Sequence, residues 1–244
     1  MTLLRKAIAE FFSTFILVFF VCGAAIVASG FAVPPIITEL VVIGLILITM
    51  IYAFGRISGC HMNPAVSLGV FVSQKLNKQN DFGIKELGAY IAVQMIGGVL
   101  AALAVIGILR GAQFNFDGNF GTTTVASNIG GYIGGFVLEI VITCALVYTV
   151  LLVIHRKENA IKSALLIWFT ISLGYIVAGQ ISGASMNPAR SFAPALMQLA
   201  FGGGSRAIRQ IWLFLIAPFV GGAIASILFW VLHREKTENQ EQSE

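Results

Sequence analysis

Apolar residues run along this chain in long blocks, and polar residues gather between them. Six blocks stand out, at about 8–30, 38–55, 87–109, 131–154, 163–180 and 210–232, filled mainly by Leu, Ile, Phe and Gly. A helix needs ~20 mostly apolar residues to cross a bilayer core, so each block predicts a membrane-spanning helix. No alternation of polar and apolar positions runs long enough for barrel strands. Arg5 and Lys6 precede an uncharged run from Phe11 to Ile37. That run is far longer than the roughly 7–15-residue core of a signal peptide, so it reads as a retained helix. The stretch 233–244 is polar and reads as a disordered tail.

Composition agrees with a membrane solvent. Of 244 residues 57% are hydrophobic and 11% charged, with mean hydropathy +0.89; a soluble domain carries about 25% charged residues. An ordinary soluble enzyme is excluded, and the 26 glycines follow no triplet period. The net charge of +4 suggests no nucleic-acid partner, because the placement of the charges explains it. If both termini are cytoplasmic, Arg110, Arg190, Arg206 and Arg209 lie outside or within the membrane, and the other eleven of the 15 basic residues lie inside. This is the asymmetry that orients membrane proteins. Cys22, Cys60 and Cys144 are odd in number, sit in apolar sequence and lack CxxC spacing, which points to neither a disulfide framework nor a metal site.

The decisive pattern is an internal repeat. Residues 55–67 read GRISGCHMNPAVS and residues 179–191 read GQISGASMNPARS, nine of 13 positions matching at an offset of 124. At the same offset Gln94-Met-Ile-Gly-Gly meets Pro218-Phe-Val-Gly-Gly, and at an offset of 129 Glu10-x3-Thr14 resembles Glu139-x3-Thr143. Each half holds three spans, so the second copy enters the membrane upside down, the inverted-repeat plan of many channels and transporters. The predicted organisation is one channel domain, 1–232. Its repeats cover about 5–110 and 131–232, joined by an extracellular loop 110–130.

Both repeated strings interrupt apolar sequence with Asn-Pro. Asn is a preferred N-cap and Pro suits the first helical position. Asn63-Pro64-Ala65 and Asn187-Pro188-Ala189 should therefore each start a helix of about ten residues, too short to span. Non-helical backbone at membrane depth survives only when buried or lining a watery cavity. Two half-helices entering from opposite faces would meet near the midplane; interfacial loops are the alternative reading. Arg190, directly after the second motif, costs about 2.5–3.5 kcal/mol at mid-depth on insertion scales, which makes it a candidate pore residue unless it snorkels to the interface. Glu10 and Glu139 are the acids expected within spans. His61 reads as a packed vestibule residue or a pH gate, Met62 and Met186 as packing, and Gly97, Gly98, Gly221 and Gly222 as close helix contacts.

Paired Asn-Pro-Ala motifs in inverted halves, the second continuing into arginine, resemble the major intrinsic protein family, the aquaporins and glycerol facilitators. The likeness covers residues 5–232. It implies an all-α membrane protein, a right-handed bundle of six transmembrane helices plus two re-entrant half-helices, assembled as a homotetramer with one pore per subunit. It also implies that Glu10 and Glu139 accept hydrogen bonds from the half-helix loops. The family's selectivity filter maps by spacing onto Ile43, Tyr175, Ala184 and Arg190. Water-specific members usually carry Phe, His, a small residue and Arg there, and glycerol facilitators Trp, Gly, Phe and Arg; this set matches neither. Residues 190–195 (RSFAPA) look like the water-channel version.

The expected function is a passive, bidirectional water channel in the plasma membrane, driven by osmotic gradients and excluding protons and ions. It needs no cofactor, and the chain shows no Ser/His/Asp set, phosphate loop or metal cluster that would make it an enzyme. The alternatives are a facilitator for small uncharged solutes (glycerol, hydrogen peroxide, a protonated weak acid) and a secondary transporter, which would need a coupling-ion site.

Overall fold

The computed structural model describes residues 1–30, 35–114, 120–126 and 131–233, with backbone only at 30, 35 and 36. The polar tail from 234 onward, including Arg234 and Lys236, and parts of the linking loop (115–119 and 127–130) lie outside the described residues.

Among the described residues eight helices follow one another: α1 (Leu3–Gly30), α2 (Pro35–Ser58), α3 (Pro64–Leu76), α4 (Ile84–Gly111), α5 (Gly131–His155), α6 (Ala160–Ala178), α7 (Pro188–Ala200) and α8 (Arg206–His233). Six of them are long and apolar enough to cross a membrane. Even the shortest, α6 with 19 residues, reaches about 28 Å at 1.5 Å per residue. The half-helices α3 and α7 have 13 residues each, three more than the sequence suggested and still about 10 Å short of a span.

The packing repeats the sequence duplication. α1 packs on α2 and α4, as α5 packs on α6 and α8. Each half-helix lies between the last long helix of its own half and that of the other: α3 touches α4 and α8, and α7 touches α8 and α4. Contact between α2 and α6 joins the two halves. The outer surface is apolar, with Ile133, Leu173 and Ile176 each more than 60% exposed, as a lipid-facing surface requires. This is a multi-pass membrane protein.

The glycine pairs explain how the helices approach so closely. A Cβ at Gly97 would stand 2.7 Å from the carbonyl oxygen of Phe11 on α1, and one at Gly221 would stand 2.5 Å from that of Ile140 on α5. The second member of each pair meets a motif alanine: Gly98 faces the Ala189 carbonyl at 3.2 Å and Gly222 faces that of Ala65 at 2.8 Å. Small residues replace the hydrophobic driving force that lipid removes. Gly222→Val is therefore expected to lower the thermal midpoint in detergent, at an overpacking cost of about 1–3 kcal/mol. Gly88→Ala, where nothing lies within 4 Å, is the control expected to leave it in place.

Candidate pore and selectivity site

Each half-helix begins with a cap written in its own sequence. Asn63 is extended (φ −157°, ψ 119°) and its Oδ1 accepts from Ala65 N at 2.9 Å. Asn187 does the same for Ala189 N at 3.0 Å and Arg190 N at 3.3 Å. Pro64 and Pro188 follow, where their missing N–H costs nothing.

The loops leading into these caps share an unusual backbone. Gly59, Cys60 and Met62 have φ of 89°, 51° and 53°, and Gly183, Ala184 and Met186 have 81°, 47° and 52°. Left-handed φ is uncommon for non-glycine residues and persists only where the surroundings hold it. Two fully buried carboxylates do the holding. Glu10 accepts from Ser58 Oγ at 2.7 Å, His61 N at 2.8 Å, Met62 N at 2.9 Å and Gln94 Nε2 at 2.8 Å. Glu139 accepts from Ser182 Oγ at 2.6 Å, Ser185 N at 2.9 Å and Met186 N at 2.9 Å. The serines brace the turns in parallel, Ser58 Oγ accepting from Cys60 N and Ser182 Oγ from Ala184 N. His61 is packed, its ring against Phe82 and Tyr90 and its Nδ1 3.1 Å from Ser67 Oγ.

The two motifs meet and clasp each other. Asn63 Nδ2 donates to the Met186 carbonyl at 2.8 Å, and Asn187 Nδ2 donates to the Met62 carbonyl at 2.9 Å. The methionines thus contribute backbone at this junction as well as packing. An amide NH2 carries two donors, so the clasp leaves one N–H on each asparagine, and both residues line the same cavity.

That cavity measures about 1090 Å³. Tyr52, Arg56 and Lys157 line it, Val66, Leu146, Val150 and Ile167 give it an apolar wall, and Ile43, Tyr175 and Arg190 line it as well. Three of the four filter positions mapped from sequence are thus brought together. Ala184, the fourth, is fully buried in the braced loop.

Arg190 does not snorkel. It is 5% exposed; Nη1 donates to the Gly121 carbonyl of the 120–126 segment, and Nη2 lies 3.2 Å from Glu39 Oε2. Glu39 corrects the expectation that Glu10 and Glu139 are the acids within spans. It sits in the first turns of α2, 8% exposed, and the Tyr175 side chain stands close to both it and Arg190. The signal was present, because Glu39 falls inside the block at 38–55, but an acid at the end of a block reads as an interfacial residue. Another anchor of the segment, Thr123 Oγ1 at 2.6 Å from Ser191 Oγ, belongs to no motif.

A model of the family described as Major intrinsic protein matches residues 1–229. The chain belongs to the major intrinsic protein family. Among its relatives in that family, a protein named Aquaporin Z from Rhodopseudomonas palustris is 35% identical over 241 residues, covering 96% of this chain and 95% of that protein. Aquaporin Z from Photorhabdus laumondii is 35% identical over 244 residues, covering 96% and 100%. The solved structure of the aquaglyceroporin from Plasmodium falciparum shares the family fold with a TM-score of 0.80 at 23% identity, covering 93% of this chain and 96% of that one. Family membership makes the chain a membrane channel and not an enzyme.

Proposed function

We propose that the chain is a passive, bidirectional water channel that excludes protons and ions. The observation that carries this reading is the mutual clasp of Asn63 and Asn187 at the mouths of two half-helices lining one cavity. The names of the relatives at 34–35% identity, Aquaporin Z, support water as the permeant.

In this reading each half-helix brings about +0.5 charge to the midpoint at its N-terminus. The N–H left free on each asparagine donates to the oxygen of one passing water. With both lone pairs engaged, that water points its hydrogens outward and breaks the proton wire. The apolar wall keeps hydrogen bonds few enough that nothing is trapped. Pro64, Ala65, Pro188 and Ala189 start the half-helices, Glu10 and Glu139 are structural supports, and Ile43, Tyr175 and Arg190 form the narrowest ring, with Ala184 buried in the loop that leads to Asn187. The apolar outer surface serves both lipid and neighbouring subunits of a homotetramer. The distribution of basic residues supports termini on the cytoplasmic side, and in this reading the membrane is the plasma membrane.

Stopped-flow light scattering on proteoliposomes tests the reading, with water efflux expected to exceed that of empty vesicles and glycerol entry expected to stay near their level. Tyr175→Ala is expected to raise the ratio of glycerol to water permeability by at least about tenfold, the scale on which small volume changes act in a tight apolar site. Glycerol entry in the parent protein that matches its water flow would favour the solute-facilitator alternative.

A further inference from the structure

The mapped filter contains one charge, Arg190, yet its surroundings contain two. Glu39 and Ile43 are four residues apart on α2, so they lie one turn apart on the same helix face. Ile43 and Arg190 line the same cavity, and the ion pair holds the Glu39 carboxylate at the level of the guanidinium. Both side chains are buried, at 11% and 6% side-chain exposure, with Nη2 and Oε2 3.2 Å apart. The Tyr175 side chain stands close to both. With Nη1 on the Gly121 carbonyl and Nη2 on Glu39, Arg190 Nε is the donor without a protein partner among the described residues.

We propose that Glu39 is a specificity-determining residue of the constriction, positioning Arg190 and cancelling its charge, so that the filter is a neutral donor–acceptor pair instead of a lone cation. This rests on the reading of the Arg190 ring as the narrowest part of a water pore. A lone arginine offers donors to acceptor groups and repels cations. A paired one offers fewer donors, adds a carboxylate acceptor beside the Tyr175 hydroxyl, and leaves ion rejection to the half-helix junction. The filter therefore favours small neutral molecules that both donate and accept hydrogen bonds. Removing one partner also does more than delete a group, because it exposes the opposite charge in a water-poor passage.

The two removals then have opposite consequences for ions. Arg190→Ala leaves Glu39 unpaired at the constriction, where a carboxylate draws cations inward. Arg190→Ala with Glu39→Gln leaves no charge there.

The experiment uses the full chain in proteoliposomes holding a pH-sensitive dye, at pH 8 with a potassium diffusion potential, and each variant's fold is checked by gel filtration. Arg190→Ala is expected to leak protons well above the parent protein, and adding Glu39→Gln is expected to cut that leak by at least about tenfold, in line with coupling between close charge pairs. A double variant that leaks as fast as Arg190→Ala, or an Arg190→Ala that leaks no faster than the parent, overturns the proposal. A parent protein that passes no water overturns the channel reading first, and this inference with it. If Arg190→Ala does not fold, the single variants at position 39 decide. Glu39→Ala is expected to lower water flow several-fold more than Glu39→Gln, because glutamine keeps an acceptor for Nη2, and equal flow in the two overturns the positioning role.

Discussion

Glu139→Ala is expected to yield no folded channel. The carboxylate takes three hydrogen bonds from the loop that aims Asn187, and that loop holds Ala184 and Met186 at φ 47° and 52°. The site is closed to bulk solvent, since Glu139, Ser182 and Ala184 are fully buried. Each orphaned buried donor costs about 1–3 kcal/mol, so removing the acceptor from three of them costs on the order of 3–9 kcal/mol, comparable with the whole stability of a domain. Glu139→Gln keeps one acceptor oxygen but turns an NH2 toward another donor, and its loss should be intermediate. Yield of monodisperse protein after detergent extraction checks the order parent, Gln, Ala. Glu10→Ala should fail in the same way, because four donors converge on it.

Asn187→Ala is the second substitution with a large expected effect, and it should destabilise more than Asn63→Ala. Asn187 caps two N–H groups of α7, whereas Asn63 caps one of α3. Each also supplies one half of the clasp. Losing a cap costs about 0.5–2 kcal/mol, and orphaning the Met62 carbonyl adds about 1–3 kcal/mol. Thermal unfolding in detergent measures the two midpoints; an Asn63→Ala midpoint at or below that of Asn187→Ala would contradict the cap count. Asn187→Asp separates the contributions, since aspartate keeps the cap oxygen but presents an acceptor to the Met62 carbonyl.

The long helices were legible because lipid leaves little choice: twenty apolar residues must be helical. Most of their starts were not, α5 at Gly131 being an exception. α4 begins at Ile84 instead of about 87, and α8 at Arg206 instead of about 210, because Lys85, Arg206 and Arg209 end an apolar block without ending a helix. Charged first turns sit at the interface, where hydropathy falls and helix geometry continues. The half-helices were readable from Asn-Pro, since cap chemistry is local. The acids Glu10 and Glu139 were readable from the duplication, and Gly97 and Gly221 from their pairing.

What the sequence concealed is what depends on distant partners. Glu39 lies 151 positions from Arg190, and it has no counterpart in the repeat to draw attention. Gly121 and Thr123 belong to a loop without a motif, yet they hold Arg190 and Ser191. The second half uses Thr123 on Ser191 where the first half uses Gln94 on Ser67. Pro218 stands at the position matching Gln94 and has no side-chain donor. The duplication therefore exposed the symmetric supports of the pore and left its asymmetric end unread.

The central claim, that water passes while protons do not, is tested most directly by measuring both fluxes on one preparation of proteoliposomes. Water efflux is followed by light scattering under an osmotic step, and proton entry by a trapped dye under an imposed potential. The account predicts water flow well above that of empty vesicles, with a proton flux indistinguishable from theirs. Proton flux rising in step with water flow would contradict it, because the wire would then run unbroken past Asn63 and Asn187.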